Sequence, residues 1–257
     1  MAMDRVFTGG ITDGRVSLPE AVSHVRKVLR LKSGDTFAGY DGADEYELLL
    51  RTAHSDSLEV EILSERELSP GPAENVVLAA SVLKAKRWDF LLEKAVELGA
   101  CAVWPVLARR CVVNLDKKAA AEKRERWLKI MRSAAAQCAG KLPELTPPAP
   151  LGDVLARADA APGKFVLHKS GDSKPFPLAL ADSSPAGMVL LTGPEGDWAP
   201  DELEAIDGAG FTPAHLGSRI LRAETAGIAA MSIAAALAGP ETGRGAAGCP
   251  FYSSGSD

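Results

Sequence analysis

The feature that most restricts the fold of this chain is a regular alternation of short apolar runs with helical segments, which begins at Val76. Val76–Ser81 is an almost continuous apolar run with the length of a buried parallel strand. Apolar residues from Trp88 to Leu98 then recur at helical spacing, and Gly99 follows as a C-terminal cap. Because strands alternate with helices, we predict an α/β domain with a mainly parallel sheet.

The alternation continues to the end of the folded region. It predicts further strands at Ala102–Leu107, Phe165–His168, Met188–Thr192 and Thr212–Leu216, and helices at Lys117–Cys138, Pro200–Asp207 and Glu224–Leu237. The last of these helices consists almost entirely of small apolar residues. We therefore expect it to be buried on nearly all sides and to pack in a subunit interface as well as on the sheet.

The N-terminal part of the chain, residues 1–70, has a different pattern. Short alternating runs at Thr36–Tyr40, Glu45–Arg51 and Leu58–Leu63 predict strands. One helix is predicted at Pro19–Leu31, with Ser17 and Glu20 as a capping box. We therefore expect a small β-rich domain over residues 1–70, a Pro/Gly linker, an α/β domain over residues 74–239 and a disordered tail over residues 240–257.

Composition limits the possible functions. The 257 residues carry a net charge of −5, with 29 Lys and Arg against 34 Asp and Glu, so any RNA contact must come from local basic patches. The four cysteines form no C-x-x-C pair and the histidines share no ligand spacing, so we expect no metal site and no disulfide framework. Since the N-terminus lacks the apolar region of a signal peptide, we expect a cytoplasmic protein.

Two loops that follow predicted strands are the strongest candidates for a ligand site, because ligands of open α/β sheets bind beyond the carboxyl ends of the strands. The first contains Thr192, Gly193, Pro194, Glu195 and Gly196. Its glycines allow a close approach to a ligand or a positive φ. An ordinary strand-to-helix turn is the alternative interpretation, and the loop matches neither G-x-G-x-x-G nor a P-loop.

The second loop runs from Leu216 to Thr225 and carries two arginines three residues apart, Arg219 and Arg222. Glu224 follows at the start of the last helix, where a carboxylate complements the free N–H groups. Helix capping by Glu224 and solvated or paired arginines are the alternative interpretation of this loop.

Two basic clusters are candidates for phosphate contacts. Arg26, Lys27 and Arg30 lie on the predicted N-terminal helix, and Lys84 and Arg87 follow the first strand of the α/β domain. A solvated basic face is the alternative for the helix.

Together these segments resemble the SPOUT-class family that methylates N3 of a uridine in 16S ribosomal RNA. The resemblance runs from Arg5 to Leu237 and rests on five motifs that occur in order. They are residues 24–31, Lys84 and Arg87 with Glu93–Gly99, Arg126–Trp127 with Gln137–Cys138, Gly193–Gly196, and Leu216–Ala226.

The resemblance implies an N-terminal PUA-like β-barrel, a SPOUT α/β domain with a C-terminal trefoil knot, and a homodimer that acts on the small ribosomal subunit. The knot follows from the resemblance alone, because threaded chains are rare. It also implies that S-adenosylmethionine is bound in the knot. The residues implied to bind it are Thr192, Gly193, Pro194, Glu195, Gly196, Leu216, Gly217, Ile220 and Leu221. With the family's chemistry in view, we expect Arg222 and Glu224 to be catalytic, and Arg26, Lys27, Arg30, Lys84, Arg87 and Arg219 to contact RNA.

The sequence departs from the family pattern at several positions. Asp197 and Trp198 stand where Gly and Phe are usual, and Ser218, Ala223 and Lys141 replace Pro, Thr and Arg. These departures affect details of cofactor and RNA contact. Two alternative functions are open: a SPOUT enzyme that acts on another RNA or base atom, and an RNA-binding assembly protein without catalysis. The identity of the methylated product tests the first alternative, and S-adenosylmethionine binding tests the second.

Overall fold

The structure, a computed structural model, describes residues 5–68, 71–112, 117–171, 173–183 and 186–238. The chain divides into two compact units. The first contains residues up to 68 together with residues 132–142, and the second contains the remaining described residues. The proposed tail, residues 240–257, lies outside the described residues, and so do residues 69–70 at the predicted junction of the two domains.

The first unit is a curled five-stranded mixed sheet, half of a barrel. Its strands are β1 (Arg5–Phe7), β2 (Arg15–Val16), β3 (Thr36–Tyr40), β4 (Asp44–Ala53) and β5 (Leu58–Glu67), in the order β1-β3-β4-β5-β2. Only the β1–β3 pair is parallel. The concave face holds a core that includes Val6, Phe37, Leu48 and Leu58, and the helical segment covers it through Val25.

The helical segment of this unit differs from the prediction. An α-helix, α1, covers only Pro19–Ser23, and a π-helical turn follows at His24–Leu29. Leu18 is the N-cap and no side chain caps the helix, so the predicted capping box of Ser17 and Glu20 is wrong. The wider π-helical turn still buries Val25 and leaves Arg26, Lys27 and Arg30 exposed.

The second unit is a parallel sheet covered by helices on both faces. Its strands are β6 (Val76–Ser81), β7 (Ala102–Leu107), β8 (Glu144–Leu145), β9 (Ala149–Pro150), β10 (Gly163–Leu167), β11 (Lys174–Pro175), β12 (Met188–Thr192) and β13 (Thr212–His215). The order is β11-β13-β10-β12-β6-β7-β8, and β9 also pairs with β7. The helices are α2 (Lys86–Glu97), α3 (Lys117–Cys138, whose last residues belong to the first unit), α4 (Leu151–Arg157), α5 (Phe176–Ser183), α6 (Pro200–Gly208) and α7 (Ala223–Ala238).

The two faces of this sheet have different helices. Residues of α4 and α6 join Val77, Ala79 and Trp104 in one core. On the other face α7 packs against β6 and β12, between α2 and α5. Within the described residues, no helix is long and apolar enough to cross a membrane.

The sheet order shows that the C-terminal segment passes β10 and then returns toward β12 and β6. The strand β10 lies between β12 and β13, and the chain passes from β12 to β13 through α6. After β13 it returns, because α7 packs against β12 and β6. A PUA-like half-barrel followed by a SPOUT α/β domain confirms the predicted fold class, and the knot stays a prediction.

Within the described residues the last helix is buried on one side, and a subunit interface for its other side stays a prediction. Gly227, Ala230, Met231 and Ala234 face the sheet and its neighbouring helices, whereas a second face of α7 is open. That face carries Thr225, Ser232, Ala236 and Leu237 as exposed residues, with Ile228, Ala229 and Ile233 half-buried. The described residues therefore leave one small-residue, apolar face of this helix uncovered.

Candidate functional site

A cavity of about 650 Å³ lies at the carboxyl ends of β10, β12 and β13. We call it the strand-end cavity. Because these strands are parallel neighbours, the loops that follow them converge there, as expected for a ligand site in an α/β sheet. Of the predicted site residues it is lined by Thr192, Gly193, Pro194, Glu195, Leu216, Gly217, Ile220, Leu221, Arg222, Arg87 and Arg219.

The other predicted site residues lie elsewhere. Gly196 is behind the cavity wall, and Glu224 is buried in the first turn of α7. Lys84 is exposed beside the loop, where its backbone N–H donates to Glu195 Oε1 at 3.2 Å. Arg26, Lys27 and Arg30 belong to the first unit.

At both glycines of the first loop a side chain would be crowded by its neighbours, and neither glycine has a positive φ. A Cβ on Gly193 would come 3.0 Å from Trp198 Nε1, and a Cβ on Gly196 would come 3.1 Å from Arg110 Cβ. The residue in this loop with a positive φ is Asp197, at +59°. The loop is therefore folded tightly on itself, with Trp198 buried beneath Gly193.

An arginine outside the set predicted from the sequence supports this loop from beyond the cavity. Arg110 donates from Nη1 to the carbonyl oxygens of Gly196 at 3.1 Å and Trp198 at 3.2 Å. Next to it, the buried carboxylate of Glu202 accepts the backbone N–H groups of Arg109 at 2.8 Å and Ala199 at 2.9 Å. The contacts of Arg109 and Arg110 join residues about ninety positions apart, so no local pattern could have predicted them.

The second loop is held by its neighbours at β13 and β10. Gly217 has a φ of +112°, and its N–H donates to His215 Nδ1 at 3.1 Å. Lys169 Nζ donates to the carbonyl oxygen of Ser218 at 3.0 Å. Beyond these contacts the side chain of Ile220, at the edge of the cavity, is 98% exposed.

Two carboxylates meet beside the cavity. Glu195 Oε1 lies 3.6 Å from Arg87 Nη1, and Glu224 Oε1 lies 3.8 Å from Arg87 Nε. The Oε2 atoms of both glutamates are buried without a hydrogen-bond partner among the described residues. Among the described residues, Arg87 is the cation beside Glu224.

The cavity also contains a pair of residues that lie far apart in the sequence. His168 Nδ1 lies 3.6 Å from Asp197 Oδ1, and that oxygen also accepts the Trp198 backbone N–H at 2.8 Å. Asp197, one of the departures from the family pattern, therefore has a local structural role at the turn. Among the described residues, no cluster of His, Cys, Asp and Glu could hold a metal ion.

Comparison with known proteins gives one consistent result. Residues 70–235 match the RNA methyltransferase domain family. The chain is 33% identical to the ribosomal RNA small subunit methyltransferase E of Synechocystis, over 86% of this chain and 73% of that protein. It is 32% identical to the Bacillus subtilis protein of the same name, over 83% of this chain and 86% of the relative.

The solved structures agree with these relatives. The structure of a ribosomal RNA small subunit methyltransferase E from Neisseria gonorrhoeae, bound to S-adenosyl methionine, superposes with a TM-score of 0.75 at 31% identity. The match covers 90% of this chain and 96% of that one. The chain therefore belongs to the RNA methyltransferase family of the ribosomal RNA small subunit methyltransferases E, as the resemblance implied.

Proposed function

We propose that this protein is an S-adenosylmethionine-dependent methyltransferase that methylates N3 of a uridine in 16S ribosomal RNA. The observation that carries the proposal is the strand-end cavity, built by the two predicted loops in a chain that belongs to this family. The methylated atom, the target uridine and the small ribosomal subunit as the particle come from the resemblance. The cytoplasm as the place of action comes from the N-terminal sequence.

The residues of the strand-end cavity fit the cofactor. Its volume, about 650 Å³, lies within the range of cavities that hold a molecule of this size. Leu167, Leu216 and Leu221 provide apolar surface for an adenine, and the loops of Gly193 and Gly217 bring backbone groups to the cavity wall. S-adenosylmethionine, when bound, supplies an activated methyl group.

The chain's own residues have two tasks in this reaction. The N3 of uracil carries a proton at neutral pH, so a base must accept that proton, and the negative charge that develops on the uracil ring must be stabilised. Glu224 is our candidate for the base, since it is buried with one unpartnered oxygen. Arg222 is our candidate for stabilising the charge, because it lines the cavity and its guanidinium is always charged.

Calorimetry with S-adenosylmethionine tests the proposal at its first step. We expect one site per chain, with the reaction product S-adenosylhomocysteine competing for it. A chain that binds small-subunit RNA but shows no heat with the cofactor would be an RNA-binding protein without catalysis, and the proposal would be wrong.

For RNA binding we propose the exposed basic residues of the π-helical turn, Arg26, Lys27 and Arg30, together with Lys84 and Arg219. Val28, 64% exposed, lies among the first three and adds an apolar contact surface. Phosphate contacts release counterions, so binding should weaken with salt.

We expect the Arg26→Ala and Arg30→Ala variants each to lower the slope of log affinity against log salt by about 0.7–0.9. Arg51→Ala is the matched control, because Arg51 is an exposed arginine of the same unit that already pairs with Glu61. Filter binding at several salt concentrations measures the slopes. Equal slopes for wild type and the two helix variants would exclude this helix from the RNA interface.

We also propose a homodimer formed through the open face of α7. A second copy would cover Ile228, Ile233 and Leu237, and the exposed Phe90 of the adjacent α2 could extend the contact. An uncovered face of small and apolar side chains is typical of an obligate interface.

Sedimentation at micromolar concentration should therefore show a dimer, and Ser232→Arg should yield monomers, because it places a charge in the middle of that face. Ala156→Arg is the matched control: Ala156 is exposed on α4, which packs on the opposite face of the sheet. A wild-type monomer, or dissociation caused equally by both variants, would contradict this interface.

A further inference from the structure

The exposed arginine at the start of α2 differs from its neighbouring lysines in the ion pairs that it makes within the described residues. Arg87 faces the two carboxylates Glu195 and Glu224 through separate nitrogen atoms, Nη1 at 3.6 Å and Nε at 3.8 Å. The carboxylates come from different loops, one after β12 and one at the start of α7. A single guanidinium therefore connects the two segments that carry the proposed site.

The position of Arg87 is fixed by its own helix. Trp88, Leu91 and Leu92 are buried, so the helix cannot rotate to move the arginine away. Just before the helix, Ala85 has a φ of +36°, a strained conformation for an alanine. That turn also presents the Lys84 backbone N–H to Glu195 Oε1 at 3.2 Å.

The acidic residue closest along this helix does not compete for Arg87. Asp89 pairs through both carboxylate oxygens with Arg126 of α3. Arg87 is thus left to Glu195 and Glu224, and the group of three carries one net negative charge.

The unpartnered Oε2 atoms of the two glutamates indicate a function for the cluster of Arg87, Glu195 and Glu224. A buried carboxylate oxygen without a donor is costly, and a ligand or an ordered water supplies the donor to such atoms. The N3–H of a uracil is a donor of this kind. If Arg87 instead moved out to bind a phosphate, two largely buried carboxylates would lose their counterion, which is more costly still.

We propose that Arg87 is a positioning residue for the methyl transfer: it holds Glu195 and Glu224 in place for the acceptor base and makes no phosphate contact. This proposal rests on the proposed function. It replaces the expectation from the sequence that Arg87 binds RNA, and it gives Arg87 an effect on the bound-state rate rather than on RNA affinity.

The test compares Arg87→Ala and Arg87→Lys with wild type in single-turnover methyl transfer, with saturating S-adenosylmethionine and undermethylated small subunits. We expect Arg87→Ala to lower the rate about 30- to 100-fold, since small misplacements of reacting groups have effects of this order. Arg87→Lys should recover part of the rate, because it keeps the charge but lacks the fork that reaches both carboxylates. The salt slope of RNA binding should stay at the wild-type value in both variants.

Lys86→Ala is the matched comparison, since Lys86 is an exposed cation next to Arg87 at the start of α2 and has no assigned role in the site. It should preserve the bound-state rate. The positioning role would be overturned if Arg87→Ala kept the bound-state rate and lowered the salt slope, or if Arg87→Lys were no better than Arg87→Ala. Should the alanine variant fail to fold, the lysine variant alone decides, because an intermediate rate with an unchanged slope is still required. No transfer by the wild type would refute the proposed function itself.

Discussion

Arg222→Ala is expected to lower the single-turnover rate of methyl transfer about 100- to 1,000-fold, which corresponds to about 2.7–4 kcal/mol of transition-state stabilisation. This is the usual effect of removing one preorganised donor to a developing anion. Arg222 lines the strand-end cavity directly before α7, and no hydrogen bond or ion pair holds its side chain within the described part of the chain. Its charge is therefore available to a bound base. Affinity for S-adenosylmethionine should change little, because the loops of Gly193 and Gly217 form most of the cavity wall.

Arg219→Ala is the comparison for this variant, since Arg219 lines the same cavity three residues earlier. We expect it to weaken RNA binding while the rate of the bound complex is preserved. The catalytic role of Arg222 would be refuted by a normal single-turnover rate in Arg222→Ala, or by a loss that disappears at saturating RNA.

The second large effect is expected at Gly196. In Gly196→Val the new Cβ would lie 3.1 Å from Arg110 Cβ and 3.4 Å from the Arg110 carbonyl oxygen, so either the loop or Arg110 must move. Overpacking of this kind costs about 1–3 kcal/mol. Since the loop forms one wall of the cavity, we expect the affinity for S-adenosylmethionine to fall about 5- to 150-fold in calorimetry, at about 1.4 kcal/mol per factor of ten.

The control for this variant is the same substitution at a glycine with free space around it. A Cβ on Gly152 in α4 would meet no atom within 4 Å, and this glycine has no positive φ, so Gly152→Val should bind the cofactor as the wild type does. Thermal melting of both variants separates loss of the site from loss of the fold. Unaltered cofactor affinity in a folded Gly196→Val would mean that the loop is not part of the cofactor site.

The sequence predicted best those elements whose buried residues form a continuous apolar or periodic pattern in the sequence. β3, β6, β7, β12 and α3 have the predicted bounds, because each is an apolar run or a long helical repeat. The short strands β1, β2, β8, β9 and β11 have two or three residues each, too few for any periodicity. The helices α4 and α5 were missed for a related reason, since seven and eight residues give only two turns.

The error in the predicted N-terminal helix has a physical cause that the sequence does not display. A π-helical turn replaces the expected α-helix at His24–Leu29, although the apolar spacing is the same. The open face of α7 consists largely of alanines, isoleucines and a leucine, so composition alone could not separate the face on the sheet from the face left uncovered.

For the candidate site, the sequence predicted which loops converge but not how they are held. Both loops follow parallel strands, and the fold brings them to one cavity. Arg110 and Glu202 fix the first loop by hydrogen bonds to backbone groups, and most of these groups are far away along the chain. Arg87 pairs with Glu195 and Glu224 across the site. Long-range contacts of this type leave no local signal.

The most direct test of the proposed function is the identity of the methylated nucleoside. Small subunits from cells that lack the modification would be incubated with the protein and S-adenosylmethionine carrying a labelled methyl group, and the ribosomal RNA would then be digested to nucleosides for mass spectrometry. We predict that the label appears in 3-methyluridine, at one position of 16S ribosomal RNA, and that the Arg222→Ala protein transfers it at least about 100-fold more slowly. Label in a different nucleoside or in a ribose methyl group, or no label despite bound cofactor, would contradict this function.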